Sequence, residues 1–385
     1  MSSRSGLAQV FAAFGPAYLA SHSLTVAQAK AWRAILACRT SALGGHVERC
    51  DACGALRHVH HSCRNRHCPQ CQTRAKEAWL AQRRRELLPV PYFHLVFTLP
   101  HALNGLIAMR LRLVYEMLFA AASATLTEFA ADPRHLGGEA AFTLVLHTWK
   151  QDLGRHVHVH ALVAGGALTP DGNWVAPKKG FLFPVRALSR VFRGKFVAAL
   201  QTLWAAGGLP RLGQAEWRGL KAALFAHDWV VYAKQPLGGP EQVLEYLGRY
   251  THRVAISNER LVAVDTHAVA FRVRADGAGK KRTLRLTGEE FIGRFLWHVL
   301  PTGFKRIRHY GLLAPSRKAA RLAAAREALG VPSPDPAVVE SIADFMRRVA
   351  RFEIAACPCC RVGRMVTIGP LPVSRPVPAV PRGPP

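Results

Sequence analysis

The sequence predicts an α+β fold, in which a small cysteine-rich amino-terminal module precedes a domain of antiparallel strands and helices. Three observations support this prediction. Most of the nine cysteines fall in CxxC pairs. Polar and apolar residues alternate with the period of a strand over 156–163, and helical periods cover 103–129 and 186–204. Half of the residues are hydrophobic, which is enough to fill the cores of two or three domains.

Changes in composition divide the chain into four predicted segments. Residues 1–90 contain helical runs and six cysteines, and they end at a pair of prolines that interrupts the pattern. Residues 91–315 contain the strand patterns and form the second domain. Residues 316–369 are predicted to be helical and contain a further CxxC motif, whereas residues 370–385 are Pro-rich and predicted to be disordered.

Basic residues strongly outnumber acidic ones. The chain has 52 Lys plus Arg against 24 Asp plus Glu, a formal net charge of +28. Such an excess implies an anionic partner, either nucleic acid or a membrane surface. No run of apolar residues is long enough to span a membrane. Because the CxxC pairs fit metal binding in a reducing compartment, we expect a cytoplasmic protein.

The amino-terminal cysteines predict a zinc site. Two CxxC pairs enclose a segment with few apolar residues, so a metal rather than a core would hold it together. The spacing predicts one tetrahedral zinc site with the ligands Cys50, Cys53, Cys68 and Cys71. A second, interleaved zinc site remains open, with the ligands Cys38, His46, Cys63 and His67. The motif at Cys357, Cys359 and Cys360 is either half of a zinc knuckle or a set of reactive surface thiols.

The alternating stretch at 156–163 carries three histidines. On a strand, His156, His158 and His160 point to one face and the intervening valines to the other. Imidazoles two residues apart on a strand are separated by roughly 7 Å between Cα atoms, close enough to chelate one divalent ion. An exposed polar strand face is the alternative interpretation.

A second feature lies on a predicted helix that begins near Pro240. Tyr246 and Tyr250 are one turn apart on it and therefore neighbours on one face. Gln242, Arg249 and Arg253 occupy the same side. Tyrosines on helices are usually core or rim residues, but two phenols at this spacing beside arginines favour a function. Histidines on a strand and paired tyrosines on a helix are the parts of a DNA-nicking site.

A third feature is the basic segment at 304–310, in which aromatic residues are interleaved with Lys305, Arg306 and Arg308. This composition suits stacking on bases and holding phosphates. Together with Arg249 and Arg253, these three residues are the predicted DNA contacts.

Several of these strings, in this order, resemble the two-tyrosine HUH transposases of the insertion-sequence-91 family. The resemblance runs from about Ala31 to Ala314. It implies that the His-hydrophobic-His motif falls on His158 and His160 and that the nucleophiles are Tyr246 and Tyr250. Ala161 stands where the family commonly has cysteine, and we expect its side chain to face away from the metal. The strings are at 64–71, 93–100, 156–163, 246–258 and 304–311.

The resemblance implies a bacterial, nucleoid-associated enzyme that cuts and rejoins single-stranded DNA in a rolling-circle type of transposition. Structural Zn²⁺ and a catalytic Mg²⁺ or Mn²⁺ are the implied cofactors. Imidazole suits Mn²⁺ better than Mg²⁺, so we expect a third, oxygen ligand, with Gln242 as the candidate. Tyrosine attack gives a 5′-phosphotyrosine and a free 3′-OH, which conserves the bond energy and requires no ATP.

Three other functions remain open from the sequence. A plasmid rolling-circle replication initiator or relaxase would share the histidine and tyrosine motifs. A zinc-dependent hydrolase would use His156, His158 and His160 as ligands. A zinc-dependent DNA-binding regulator would need no catalysis at all.

The net charge leads to a prediction about salt. If the protein neutralises roughly six or more phosphates, its affinity for DNA should fall on the order of a thousandfold between 50 and 200 mM salt, because bound counterions are released. Fluorescence anisotropy with a labelled oligonucleotide measures this slope. A flat response would show that the positive charge does not contact DNA.

Overall fold

A computed structural model describes residues 6–178, 182–237, 242–243, 248, 255–274, 281–334, 340–350 and 353–373. The chain divides into two compact units. The first spans 1–75, 252–299 and 335–385, and the second spans 76–251 and 300–334. These units differ from the four consecutive segments predicted from composition. The reason is that segments distant in sequence complete each unit, and amphipathic patterns do not show which partner an element will pack against.

Both units contain helices and antiparallel strands. Among the described residues, none of the helices combines the length and the apolar composition that a membrane crossing requires. The helices are α1 Leu7–Ser21, α2 Val26–Ala37, α3 Gln72–Arg84, α4 Asn104–Ala131, α5 Val185–Ala205, α6 Gln214–Phe225, α7 Gly288–Leu296, α8 Lys318–Ala328 and α9 Ile342–Ala350. The strands are β1 Gly45–Cys50, β2 Leu56–His60, β3 Tyr92–Thr98, β4 Glu139–Trp149, β5 Arg155–Leu168, β6 Trp174–Val175, β7 Val231–Leu237, β8 Leu261–Val264, β9 Ala268–Arg274, β10 Lys281–Thr287, β11 Ile307–Gly311 and β12 Met365–Leu371.

The second unit is built on an antiparallel sheet with the strand order β11-β4-β5-β3-β7, and β6 pairs with β5. The predicted α+β class is confirmed. Alternation along β5 places Val157, Val159 and Ala161 in the main core, against which α4 and α5 pack. His158, on the opposite face, is only 9% exposed. The alternative of an exposed polar strand face therefore does not hold for His158, whereas His156 is half-buried.

The first unit contains two three-stranded antiparallel sheets, with the orders β12-β1-β2 and β10-β9-β8. The predicted start of α2 is confirmed, because Thr25 and Gln28 form a reciprocal capping box. Helix α1 packs on α7, where the Phe14 ring lies against Gly288. A Cβ atom at Gly288 would overlap this ring, so the contact requires glycine.

A half-buried histidine on β11 connects three elements of the second unit. His309 Nε2 accepts a hydrogen bond from Arg83 Nη1 at 2.7 Å, since a guanidinium can only donate. Its Nδ1–H therefore donates to Thr143 Oγ1 at 2.8 Å. Burial, and then the Arg83 charge, lower the pKa of His309 to about 4. The side chain is thus neutral near pH 7.

We expect His309 to make the second unit less stable in acid. The unfolded imidazole has a pKa of about 6.5, so the unfolded state binds more protons than the folded state between this pH and about 4. The stabilisation is complete above pH 6.5 and is lost as the pH falls toward 4. In thermal unfolding across this range, His309→Gln should give a shallower pH dependence than the native chain. His227→Gln, at an exposed position, is the control. Equal slopes in His309→Gln and the native chain would contradict this assignment.

Candidate metal centres

Three imidazoles converge on the second unit's sheet. His147 lies on β4, directly opposite His158 on β5, and His160 follows two residues later on the same face. His160 Nε2 is 3.1 Å from His158 Nε2 and 3.1 Å from His147 Nδ1. All three ligand atoms lie within 4.8 Å of one another. We call this group the imidazole centre.

Neighbouring groups orient these rings. His158 Nδ1–H donates to the backbone carbonyl of His156 at 3.0 Å, so its Nε2 carries the lone pair. His160 Nδ1 lies 2.8 Å from His94 Nε2. When that Nδ1 carries the proton, the Nε2 lone pairs of His158 and His160 face each other. A cation between them would remove this repulsion, and the donor set therefore fits a divalent metal ion.

Burial also sets the charge of the imidazole centre. Desolvation, followed by the charge of His156, lowers the pKa of His158 to about 4. Desolvation and the neighbouring histidines lower the pKa of His160 well below its usual value. Both rings are therefore neutral near pH 7, which is the state that binds metals.

The structure brings together His158 and His160, the two histidines that the sequence paired, and His156 lies outside the group of converging rings. The missed residue is His147. The predicted third ligand was an oxygen from Gln242, whereas the group that lies beside His158 and His160 among the described residues is the His147 imidazole. A signal existed, because 142–149 and 156–163 form consecutive strands, and an antiparallel return brings His147 opposite the histidine stretch. Gln242 is an exposed helical residue, and its participation stays a prediction.

Four predicted site residues lie outside the described residues. They are the paired tyrosines Tyr246 and Tyr250 and the predicted DNA contacts Arg249 and Arg253. Gly248, between them, is helical and buried. A Cβ atom there would meet Lys76 Cε at 2.8 Å and Leu80 Cδ1 at 3.0 Å. Glycine therefore allows a close approach to α3.

The amino-terminal cysteines are grouped differently from the prediction. One group, the amino-terminal thiol cluster, consists of Cys38, Cys63, Cys68 and Cys71, and its sulfur atoms lie within 4.8 Å of one another. Cys50 and Cys53 instead belong with Cys357 and Cys360. The prediction that Cys50, Cys53, Cys68 and Cys71 form one site is therefore wrong.

The physical reason is that CxxC spacing identifies two sulfurs on one turn but not the pair that they will meet. Arg39 N–H donates to the His61 carbonyl at 3.0 Å, which holds the turn after Cys38 beside the segment leading to Cys63. Strand β1 pairs with β12 and carries Cys50 toward a different partner.

The alternative set with two histidine ligands is also corrected. Cys38 and Cys63 do share a site, but His46 and His67 are not part of it. His46 Nε2 lies 3.2 Å from Glu48 Oε1. His67 Nδ1 lies 3.2 Å from Asn65 Oδ1. Thiols rather than imidazoles complete the tetrahedral set.

Thiols this close together share protons. Hydrogen bonds from Cys63 and Cys68 lower the pKa of Cys38 to about 2. The hydrogen bond to Cys38 is the largest cause that raises the pKa of Cys63 to about 12. All four sulfurs can become thiolates only with a cation among them, and Zn²⁺ suits four such ligands.

The aromatic residues of the basic segment at 304–310 are occupied within the protein. Phe304 is 1% exposed and lies in the main core. Tyr310 stacks on Phe142 with ring centroids 5.4 Å apart. The prediction that this segment stacks on bases is therefore wrong for these two rings.

The basic residues of the same segment differ in their surroundings. Arg308 forms two hydrogen bonds with the Glu116 carboxylate, at 2.6 and 2.9 Å. Arg308 is therefore paired with a carboxylate in a partly exposed ion pair, and its role as a DNA contact stays a prediction. Lys305 is exposed and Arg306 is partly exposed, and both stay predicted DNA contacts.

The fold and the sites define a class: a protein with a cysteine-rich amino-terminal module and three converging imidazoles on an antiparallel sheet. Two family models match the chain. The model described as "Transposase zinc-binding domain" of the IS91 type covers residues 10–99, and that described as "Putative transposase" covers residues 141–321.

Two relatives cover most of the chain. "Putative transposase y4qJ" of Sinorhizobium fredii (strain NBRC 101917 / NGR234) is 46% identical over 380 residues, which is 95% of this chain and 96% of the relative. "Transposase for insertion sequence element IS801" of Pseudomonas savastanoi pv. phaseolicola is 28% identical over 335 residues, 85% of this chain and 80% of the relative. The chain belongs to the IS91-like family of transposases with a zinc-binding domain.

Among solved structures, one similar chain is the conjugative relaxase TrwC in complex with oriT DNA, in its metal-free form. The similarity covers 63% of this chain and 73% of the relaxase chain. The sequence identity is 16% and the TM-score 0.22. A metal-bound structure of the same relaxase with oriT DNA gives a TM-score of 0.23 at 15% identity.

The imidazole centre leads to a prediction about metal affinity. His147→Ala should weaken Mn²⁺ binding by at least about tenfold, because losing a ligand costs no less than losing a group that orients one. Isothermal titration with Mn²⁺ measures the change. Gln242→Ala, at an exposed position, is the matched control. If only Gln242→Ala weakens binding, the third ligand is the amide oxygen and not the imidazole.

Proposed function

We propose that this transposase cuts and rejoins single-stranded DNA at the imidazole centre, with Tyr246 and Tyr250 as nucleophiles. The observation that carries the proposal is the convergence of His147, His158 and His160 as buried rings on the central hairpin of the sheet. Neutral imidazoles held close together have an evident use as ligands of a divalent ion. Such a site in a chain of a transposase family is best explained by work on a phosphodiester.

The three imidazoles would hold Mn²⁺ or Mg²⁺, and the nitrogen ligands favour Mn²⁺. When bound, this ion supplies positive charge that polarises the scissile phosphate. The protein's own contribution is to fix the direction of two of these rings. The bond from His158 to the His156 carbonyl and the contact of His160 with His94 perform this role.

The tyrosines carry the covalent step. A phenol oxygen bonds to phosphorus, the bond from phosphorus to the 3′ oxygen breaks, and the phenol proton is lost as the 3′ oxygen gains one. The product is a 5′-phosphotyrosine with a free 3′-OH, and a later 3′-OH reverses the step. No ATP is required, because the ester bond energy is conserved. A second tyrosine lets the same site cut another strand while the first link persists, which suits rolling-circle transposition.

DNA is the substrate that fits the charge of the chain. The net charge of +28 favours a phosphate polymer, and exposed Lys305 is one candidate contact. The relaxase structures similar to this chain are DNA complexes, and we extend the same kind of partner to this protein. A replication initiator would perform the same strand cleavage, and a regulator would perform none.

The experiment uses single-stranded oligonucleotides from the element ends, labelled at the 3′ or the 5′ end, with Mn²⁺. We expect only the 3′-labelled strand to yield labelled protein on a denaturing gel, because the tyrosine retains the 5′ phosphate. Tyr246→Phe combined with Tyr250→Phe should abolish the adduct, whereas each single variant should retain part of it. His147→Ala should reduce adduct formation in the native-tyrosine background.

Tyr310→Phe is the matched control, because its ring packs on Phe142 and plays no part in the proposed reaction. It should leave the adduct intact. A labelled adduct in the double tyrosine variant, or label transferred from the 5′ end, would overturn the assignment. An absence of any adduct with native protein would favour the non-catalytic regulator.

A further inference from the structure

The carboxyl-terminal CxxC motif lies outside both matching family models, which cover 10–99 and 141–321. Its sulfurs meet those of the first amino-terminal CxxC pair. Cys50 Sγ lies 3.7 Å from Cys360 Sγ, and Cys53 Sγ lies 3.7 Å from Cys357 Sγ. All four sulfurs are within 4.8 Å of one another. We call these four residues the terminal thiol cluster.

Backbone amides on both turns point at these sulfurs. Cys53 N–H donates to Cys50 Sγ at 3.4 Å, and Gly363 N–H donates to Cys360 Sγ at 3.3 Å. Cys359 N–H donates to Cys357 Sγ at 3.4 Å. Amide donors stabilise a thiolate more than a thiol. The two turns are therefore arranged to hold anionic sulfur.

The two turns are held together by backbone pairing. Strand β12 pairs with β1, and Cys50 lies opposite Met365 at the end of this ladder. Beyond it, Asp51 N–H donates to the Arg364 carbonyl at 3.0 Å, and Arg364 N–H returns a bond to Asp51 Oδ1 at 2.7 Å. The position of the second turn is thus fixed on the first by the sheet β12-β1-β2.

Gly363 adds a steric requirement at the terminal thiol cluster. A Cβ atom on this residue would lie 2.5 Å from Cys50 Sγ and 2.6 Å from Ala52 Cβ. Both contacts are too close for an added methyl group. Gly369, on the same β12, has no neighbour within 4 Å of an added Cβ. Glycine is therefore required at position 363, in the turn beside the sulfurs, but not at position 369 in the strand.

We propose that Cys50, Cys53, Cys357 and Cys360 bind a second structural Zn²⁺ ion, which joins the two ends of the chain into one zinc-ribbon-like sheet. Four cysteine sulfurs on two turns match a closed, tetrahedral structural site. A metal at this site would link residues more than 300 positions apart. It would therefore restrict the unfolded chain more than a metal at the amino-terminal thiol cluster, because loop-closure entropy grows with loop length. This proposal is independent of the DNA chemistry proposed above.

The test counts zinc in full-length protein purified in reductant, by elemental analysis against protein concentration. Zinc at the imidazole centre is removed from the count by using a background throughout that combines His147→Ala with His158→Ala, which leaves one imidazole of the three. We expect two Zn²⁺ per chain there, and one in Cys357→Ser or Cys360→Ser. Cys359→Ser should keep both, because this exposed thiol of the same motif is outside the cluster. Gly363→Ala should lose one ion, whereas Gly369→Ala should keep both.

Substitution with Co²⁺ distinguishes a lost ligand from a misfolded chain. Two four-thiolate sites give thiolate-to-cobalt absorption for eight sulfurs, and this intensity should fall by about half in Cys357→Ser while the amino-terminal site persists. One zinc per chain in both the background protein and Cys357→Ser would overturn the proposal. So would an equal loss in Cys359→Ser, or a disulfide among these four cysteines in protein purified in reductant.

Discussion

The antiparallel register between β4 and β5 is the constraint on which the imidazole centre depends. It places His147 opposite His158 and Val145 opposite His160. Leu146 on β4 and Val159 on β5 point instead into the main core. A slip of one residue along β4 would move every side chain to the other face, so that leucine would meet the histidines. The apolar face therefore fixes the positions of the three imidazoles, although it contains none of them.

Burial of this hairpin also determines the protonation state of its histidines. Isolated imidazoles would be partly protonated near neutral pH, but desolvation lowers the pKa of His158 and His160. A divalent ion then has little competition from protons for the ring nitrogens. The centre is therefore suited to a metal and poorly suited to a proton switch.

Local patterns in the sequence were sufficient to predict the strands at 92–99 and 156–163, the cap of α2 and the shared face of His158 and His160. Each depends on residues within one or two turns of the chain. The failures all involve pairing at a distance. Predicting the place of His147 required the register of the β4–β5 hairpin. Predicting the partners of the CxxC turns required the strand that pairs with β1, and predicting the burial of Phe304 required the helices that cover the sheet. The periodicity of a sequence predicts which face of a helix or strand is apolar, but it does not predict which other element packs against that face.

The two thiol clusters differ in the order in which they can be completed. All ligands of the amino-terminal thiol cluster lie between Cys38 and Cys71, so this site can close before the rest of the chain is made. Cys50 and Cys53 lie within that segment but need Cys357 and Cys360 as partners. Until then they are two free thiols beside four competing ones. The backbone bond from Arg39 to His61 lies within the same short segment and brings the turn after Cys38 beside the residues that precede Cys63. The strand pairing of β1 with β12 instead closes a loop over most of the chain, and the entropy cost of loop closure rises with the length of the loop.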